Sequence, residues 1–327
     1  MKQTLYSLLT LLLLSIGAES LQASHYMGVD ISYECIGPCT YRITHKSYFD
    51  CDDASITNTP VYPPPQTTFA IPQQPGTLIF NTFGTPCAPP TPIGGWTLVS
   101  YFEVTPLCPD ALNPPPGTPA STECDGTNPA AQINGVAEGV YYRDYNFCNT
   151  TCDSFLIEWD ACCRNAVITS VAAPGGTAIY TGQTKIDLTL TPCNSSPFFQ
   201  NKPVPYICAG QLFTFNQGAI DPDGDSLSYS LGPCFDEFNT PVTYLGGHGP
   251  LQPLGPTWDV SVNPLTGDVT MTPNPTGAVV VGVVCIVVTE WRNGVQIGQV
   301  VRDMQITVIP NCTSSNPITG GIQPNSL

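Results

Sequence analysis

A chain of 327 residues is long enough for two domains of ordinary size, and 42% hydrophobic against 10% charged residues supplies real cores and excludes wholesale disorder. With 9 Lys+Arg against 25 Asp+Glu the net charge is -16, a surface that repels nucleic acid and anionic lipid but suits divalent cations. The 35 prolines and 29 glycines interrupt the chain too often for long helices, so an all-β fold is expected.

At the N-terminus, Lys2 precedes an apolar run over residues 5–18, and Ala18 or Ala23 offers a small residue for cleavage. Residues 1–23 therefore read as a signal peptide. The run is short for a membrane span and no second one follows, so no membrane insertion is expected after cleavage. In an exported chain, 15 cysteines read as a disulfide framework. A zinc site would need close Cys/His pairs, but there is no Cys-x-x-Cys, and His25, His45 and His248 are scattered. An odd count leaves a thiol free or joined to another chain. The disulfide candidates are Cys35, Cys39, Cys148, Cys152, Cys162, Cys163, Cys208, Cys234, Cys285 and Cys312.

The first domain is expected over 24–200. In its first strand Val29, Ile31, Tyr33 and Cys35 alternate with Asp30, Ser32 and Glu34, giving one buried and one wet face. Ile36-Gly37-Pro38 turns the chain and residues 41–47 run back, which places Cys35 and Cys39 at the mouth of a hairpin, within reach of a cross-turn bridge. A proline-rich stretch, 59–120, cannot form central strands. It reads as long loops stapled by Cys87, Cys108 and Cys124, or as a binding surface built on them. Residues 141–148 and 152–163 repeat the hairpin pattern, with Cys148 and Cys152 at the tip. Phe155, Ile157, Trp159 and Ala161 face one way, whereas Cys162 and Cys163 point to opposite faces and are expected to have different partners, to be found among Cys51, Cys87, Cys108, Cys124 and Cys193.

Residues 193–205 read as a linker, rich in Asn, Ser and Pro, and the second domain is expected over 201–312. Its clearest signal is a β-branched run, 279–291, then Asn293-Gly294, the favoured type I′ pair, then a return over 295–309. Asn263-Pro264-Leu265-Thr266-Gly267 marks another turn. Strands at this spacing indicate a Greek-key sandwich in which Cys208, Cys234, Cys285 and Cys312 pair internally. The tail, 313–327, reads as flexible. The architecture expected is two disulfide-stapled β-sandwich domains in tandem, immunoglobulin- or cadherin-like.

The sharpest chemical constellation is Asp221-Pro222-Asp223-Gly224-Asp225. A hard cation such as calcium needs several oxygen ligands held close, and unpaired carboxylates at that spacing repel. The loop is not an EF-hand: the glycine is misplaced and position 232 is Gly, not Glu. An Asx-rich turn in water is the competing reading. The ligand count favours calcium at Asp221, Asp223 and Asp225, completed by Asp236, Glu237 or Asp268. Glu290 shares a strand face with Val284, Ile286 and Val288. A cation ligand or a partner for Arg302 are readings of it that rank below an exposed strand end. His45 reads as a partly buried neutral residue, and Glu158 and Asp160 as the polar face of a strand. Trp96, Trp159, Trp258 and Trp291 with 14 tyrosines are either core or a sugar-stacking platform, with core ahead. No Gly-x-Ser-x-Gly, His-Glu-x-x-His, P-loop or dinucleotide fingerprint occurs, and no catalytic residue is assigned.

Several short motifs occur together and in order. They are Ser24-His25-Tyr26-Met27-Gly28, Ile31-Ser32-Tyr33-Glu34-Cys35, Tyr48-Phe49-Asp50-Cys51, Cys162-Cys163-Arg164-Asn165, Asn194-Ser195-Ser196-Pro197, Pro205-Tyr206-Ile207-Cys208, residues 219–227, and Glu290-Trp291-Arg292-Asn293-Gly294-Val295. In this the chain resembles exported Bacteroidota proteins with PKD-type or other immunoglobulin-like repeats, often joined to a gliding-motility-associated C-terminal sorting domain. The resemblance implies β-sandwich domains at an outer cell surface or in the secreted fraction, and matches Asp221, Asp223 and Asp225 to a cadherin-like calcium signature. The sorting domain is missing after Cys312, and the paired cysteines at the hairpin tips are additional. The function expected is a non-enzymatic, calcium-stiffened adhesion or structural module whose partner is a cell-surface protein or glycan, or copies of itself. A self-assembling subunit of an extracellular fibre and a carbohydrate-binding or polysaccharide-active protein stay open as alternatives.

Overall fold

The computed structural model describes residues 26–50, 74–82, 87–105, 135–161, 164–165, 167–172, 180–190, 193–203, 206–237, 240–274 and 277–310. Among them there is no helix; the chain is all-β. The first half contributes β1 (Tyr26–Gly37), β2 (Thr40–Asp50), β3 (Ile79–Asn81), β4 (Thr91–Glu103), β5 (Val136–Asn146), β6 (Ser154–Ala161) and β7 (Tyr180–Asp187). Short strands follow: β8 (Phe198–Phe199), β9 (Tyr206–Cys208), β10 (Phe213–Asn216) and β11 (Ala219–Ile220). The rest are β12 (Ser226–Gly232), β13 (Phe235–Glu237), β14 (Thr240–Pro241), β15 (Asp259–Val262), β16 (Asp268–Thr272), β17 (Val280–Arg292) and β18 (Val295–Ile309). The expected signal peptide, the tail and most of the proline-rich stretch lie outside the described residues.

The organising strand is β18. Asn293 and Gly294 take φ of 53° and 78°, the left-handed pair that a type I′ turn requires, and fold β18 back along the whole of β17. Its other edge serves three strands in series: β7 at 299–301, β1 at Gly28 and Val29, and β9 in parallel at 307–309. From β18 the sheet runs through β1, β2 and β5 to β4 on one side and through β7 and β6 to β3 on the other.

This sheet curls so that β6 and β7 cover β1, β2 and β5. Phe155, Ile157, Trp159 and Ile186 pack on Val29, Ile31, Ile43 and Tyr145, forming a first core drawn only from residues 26–186. The approach is close: a Cβ on Gly182 of β7 would lie 2.7 Å from Val29 Cγ1. A second core, drawn from 199–308, fills the space between the β10-β16-β15 sheet and the β17-β18 hairpin. The two largest apolar sets thus segregate by sequence, while a third joins Ile168 and Val171 to Val242, Val281, Val283 and Val301, and hydrogen-bonded strands run continuously between the halves.

Two expectations are corrected here. Strands β5 and β6 are not a hairpin: β5 pairs with β2 and β4, and β6 with β7 and β3. The chain between them crosses to the opposing layer, which carries Phe155, Ile157 and Trp159 onto the first core. Asp30 is not on a wet face, because the second half covers it, leaving it 5% exposed. Arg302, fully buried, donates to both its oxygens, from Nε at 2.8 Å, and to the carbonyl of Asn201 at 2.8 Å, with Phe199 3.9 Å beneath its guanidinium. Arg164 with Asp303 (2.7 Å) and Lys202 with Glu138 also join a residue of the first half to one of the second. In the two buried arginine pairs, which contribute only when each ion is fully hydrogen-bonded, removing one partner costs about 3–5 kcal/mol, whereas Lys202 is half-exposed and its pair is screened by solvent.

His45, on β2, is fully buried against Trp159 at 4.4 Å between ring centres. Burial pushes its imidazole down to about 3, outweighing the opposing pull of Asp30. The native state therefore binds fewer protons than the unfolded chain between about pH 3 and the ordinary histidine value of 6.5. Its contribution is complete above the unfolded pKa and is lost as pH falls toward the folded one. Denaturant titrations of His45→Gln should show an acid limb shallower than the parent's by up to about 1.4 kcal/mol per pH unit. A parallel pair of limbs would contradict neutral burial.

Candidate functional site at the acidic loop

The acidic loop connects β11 to β12. Gly224 takes φ of +83°, and Asp221 Oδ1 accepts the N–H groups of Asp223 (2.9 Å) and Asp225 (3.0 Å). This is an Asx turn, closed tightly enough that Asp221, Asp223 and Asp225 each bring a carboxylate oxygen within 4.8 Å of the others. Asp221 Oδ2 is buried and receives no hydrogen bond, and burial pushes the carboxyl up. Asp225 is ion-paired to Arg292, whose Nε donates to Oδ1 at 2.8 Å, and is held below the usual carboxylate range.

The β12–β17 ladder sets Ser226 opposite Trp291 and Leu227 opposite Glu290, bringing the end of β17 against the loop. Glu290 is fully buried, where exposure at a strand end was expected. Its strand face is the apolar one shared with Ile286 and Val288, and the loop covers it. Its carboxyl lies near those of Asp221 and Asp225, and its Oε2 has no hydrogen-bond partner. Burial, then the charges of Asp221 and Asp225, push it up to about 8 against the Asn194 amide, which donates to Oε1 at 2.7 Å. Arg302 is not its partner but that of Asp30.

The segment expected to be a linker completes the site. Asn194, Ser195 and Ser196 are 1%, 6% and 1% exposed. Ser195 N–H donates to Asp223 Oδ2 at 2.7 Å, and Asn194 Oδ1 accepts from Arg292 at 2.8 Å. Toward the first half, Ser196 N–H donates to the carbonyl of Tyr33 (2.8 Å), and Tyr33 N–H donates to Ser196 Oγ (2.9 Å). Cys35 N–H donates to Ser195 Oγ at 3.3 Å, and a Cys35–Cys193 disulfide closes the end. The pairing of β1 with β18 is confined to Gly28 and Val29, so the N–H groups of Tyr33 and Cys35 take serine hydroxyls instead.

The residues proposed to complete the acidic site do not join it. Asp236 lies 3.9 Å from Arg164, and Asp268 accepts from Asn216 and Thr266. The side chain of Glu237 lies outside the described residues. A second cluster, Cys234, Cys285 and Asp303, offers no thiolate because its cysteines are bridged. Glu158 is fully buried rather than on a polar face. Burial pushes it up to about 7, while Gln183 and Asn81 donate to it. The tryptophans divide between the cores: Trp96 and Trp159 flank His45, Trp258 packs on the second core, and Trp291 donates to Ser228.

The hairpin-tip bridges are also rearranged. Cys35 pairs with Cys193 and Cys152 with Cys87, because Cys35 and Cys152 sit against the first core, whereas Cys39 and Cys148 are exposed and unbridged. Cys234 pairs with Cys285, and Cys208 is bridged to a residue outside the described ones, where Cys162, Cys163 and Cys312 also lie.

The chain matches no family model, no curated protein and no solved structure. Its site is therefore read from geometry alone. Gly298 of β18 lies opposite Glu290, and a Cβ there would collide with Glu290 Oε2. Gly298→Ala should destabilise the fold by about 1–3 kcal/mol, the range for overpacking. The same change made in a Glu290→Ala background should cost little more, a non-additivity that denaturant unfolding of the four proteins measures. Equal losses in both backgrounds would contradict the contact.

Proposed function

We propose that this protein is a non-enzymatic, extracellular adhesion or structural module of tandem sandwich-like halves, stiffened where the halves meet by a bound calcium ion. The observation that carries the reading is the hydrogen bond from Ser195 to Asp223, which ties the acidic loop of the second half to the segment anchored on β1. The carboxylates of Asp221, Asp223 and Asp225 lie together with one guanidinium paired to Asp225, and the buried Asp221 Oδ2 lacks a donor. Oxygen donors without protons, in excess of local positive charge, are what a hard cation takes. Asp221, Asp223 and Asp225 would hold the ion, and Glu290 would stand behind them. Closing the loop on calcium would tighten its grip on residues 194–196, and through them on β1. The disulfides suit an oxidising compartment, and no helix among the described residues is long and apolar enough to cross a membrane.

A fibre subunit is the second reading. Among the described residues β4 forms an outer edge of the large sheet and exposes Ile93 and Val99, an arrangement open to strand pairing between copies.

Thermal unfolding in calcium and in chelator tests the first reading. The parent should gain about 2.7 kcal/mol at a calcium concentration one hundred times Kd. Asp221→Asn combined with Asp223→Asn should abolish that gain, so that its melts in calcium and in chelator coincide whatever its own stability. A parent melt indifferent to calcium would refute the cation. Regular polymers in the calcium-loaded sample under negative stain would move the assignment to the fibre subunit.

A further inference from the structure

Cys39 and Cys148 are the two described cysteines left unbridged, and they sit on adjoining turns. Cys39 ends the β1–β2 turn with φ of 50°, and Cys148 follows β5. The β2–β5 ladder pairs Thr40 with Asn146 and continues one step past the strand ends, where Phe147 N–H donates to the carbonyl of Cys39 at 2.8 Å. That bond fixes the two turns side by side, and Cys148 Sγ lies 3.9 Å from the carbonyl of Pro38. The nearness of Cys39, with slight desolvation, holds the Cys148 thiol above its ordinary value. Both thiols are exposed, and the backbone bond sets their two residues on adjoining turns. The remaining described cysteines are all bridged, which marks the compartment as one in which an exposed, adjacent dithiol does not persist.

We propose that Cys39 and Cys148 are joined in the working protein by a surface disulfide that links the β1–β2 turn to the turn after β5. The oxidant is a protein disulfide of the thiol–disulfide oxidoreductase class. One of the two cysteine thiolates attacks the oxidant's disulfide, forming a mixed disulfide and releasing one oxidant thiol. The second cysteine then attacks the sulfur of the first, and the oxidant's other sulfur leaves. Two protons and two electrons pass from the cysteine pair to the oxidant, which becomes a dithiol. Lying in solvent, this bridge is open to reductants, whereas Cys35–Cys193 is partly covered by the first core. It also moves the odd thiol of a 15-cysteine chain to the cysteines outside the described residues.

Peptide mapping of the full chain, produced by export into an oxidising compartment and blocked with N-ethylmaleimide before non-reducing digestion, tests this. The peptides of Cys39 and Cys148 should be recovered linked and unlabelled. Graded dithiothreitol should release them before those of Cys35 and Cys193. In Cys39→Ser, Cys148 should become labelled while Cys35–Cys193 and Cys87–Cys152 persist, which separates loss of the bridge from loss of the fold. Maleimide on both cysteines of the parent, or either one linked to a different cysteine, would overturn the assignment.

Discussion

The structure depends on the reciprocal hydrogen bonds between Ser196 and Tyr33 and on the adjacent bond from Ser195 to Asp223. Between them they satisfy backbone groups at the end of β1 and engage a carboxylate of the acidic loop, so one short segment grips both halves. Buried backbone groups without partners cost about 1–3 kcal/mol each, so the segment cannot detach without exposing or stranding the groups on both sides. The Cys35–Cys193 bridge holds one end in register. Arg302 with Asp30, Arg164 with Asp303 and Lys202 with Glu138 add to the ladders of β18 with β1 and β7 in joining the halves. A cation at the acidic loop would act on this junction and not on a remote surface.

Local signals were legible in the sequence wherever neighbours in the chain decide the structure. The turn at Asn293-Gly294 and its long flanking strands stand where β-branched runs and left-handed turn residues put them. The inward set Val29, Ile31 and Tyr33 follows from alternation, as does the set Phe155, Ile157 and Trp159. What alternation cannot reveal is what covers the second face of a strand. Asp30 and Glu290 both read as wet, and both are buried, because their partners lie far along the chain: Arg302 is 272 positions from Asp30, and Asn194 is 96 from Glu290.

The same limit explains the misread linker and bridges. Asn, Ser and Pro are residues of exposed loops, yet the short polar side chains of Asn194, Ser195 and Ser196 are also the ones able to cap strand N–H groups in a buried site. Cysteines four positions apart across a turn suggest a local bridge, but burial against the first core chose the longer connections, Cys35 to Cys193 and Cys87 to Cys152. At the acidic loop, Asp221, Asp223 and Asp225 were legible from spacing. Glu290 was visible as a carboxylate on an otherwise apolar strand face, and Asn194 and Arg292 stood out only within short motifs that assigned them no role at this loop.

Hydrogen exchange at the amides of Ser195 and Ser196, with and without calcium, measures the junction directly. The account predicts slow exchange at both positions in chelator, because their N–H groups are buried and bonded to Asp223 and Tyr33, and slower exchange again when calcium is added. Exchange at the rate of an unstructured peptide, unchanged by calcium, would contradict it.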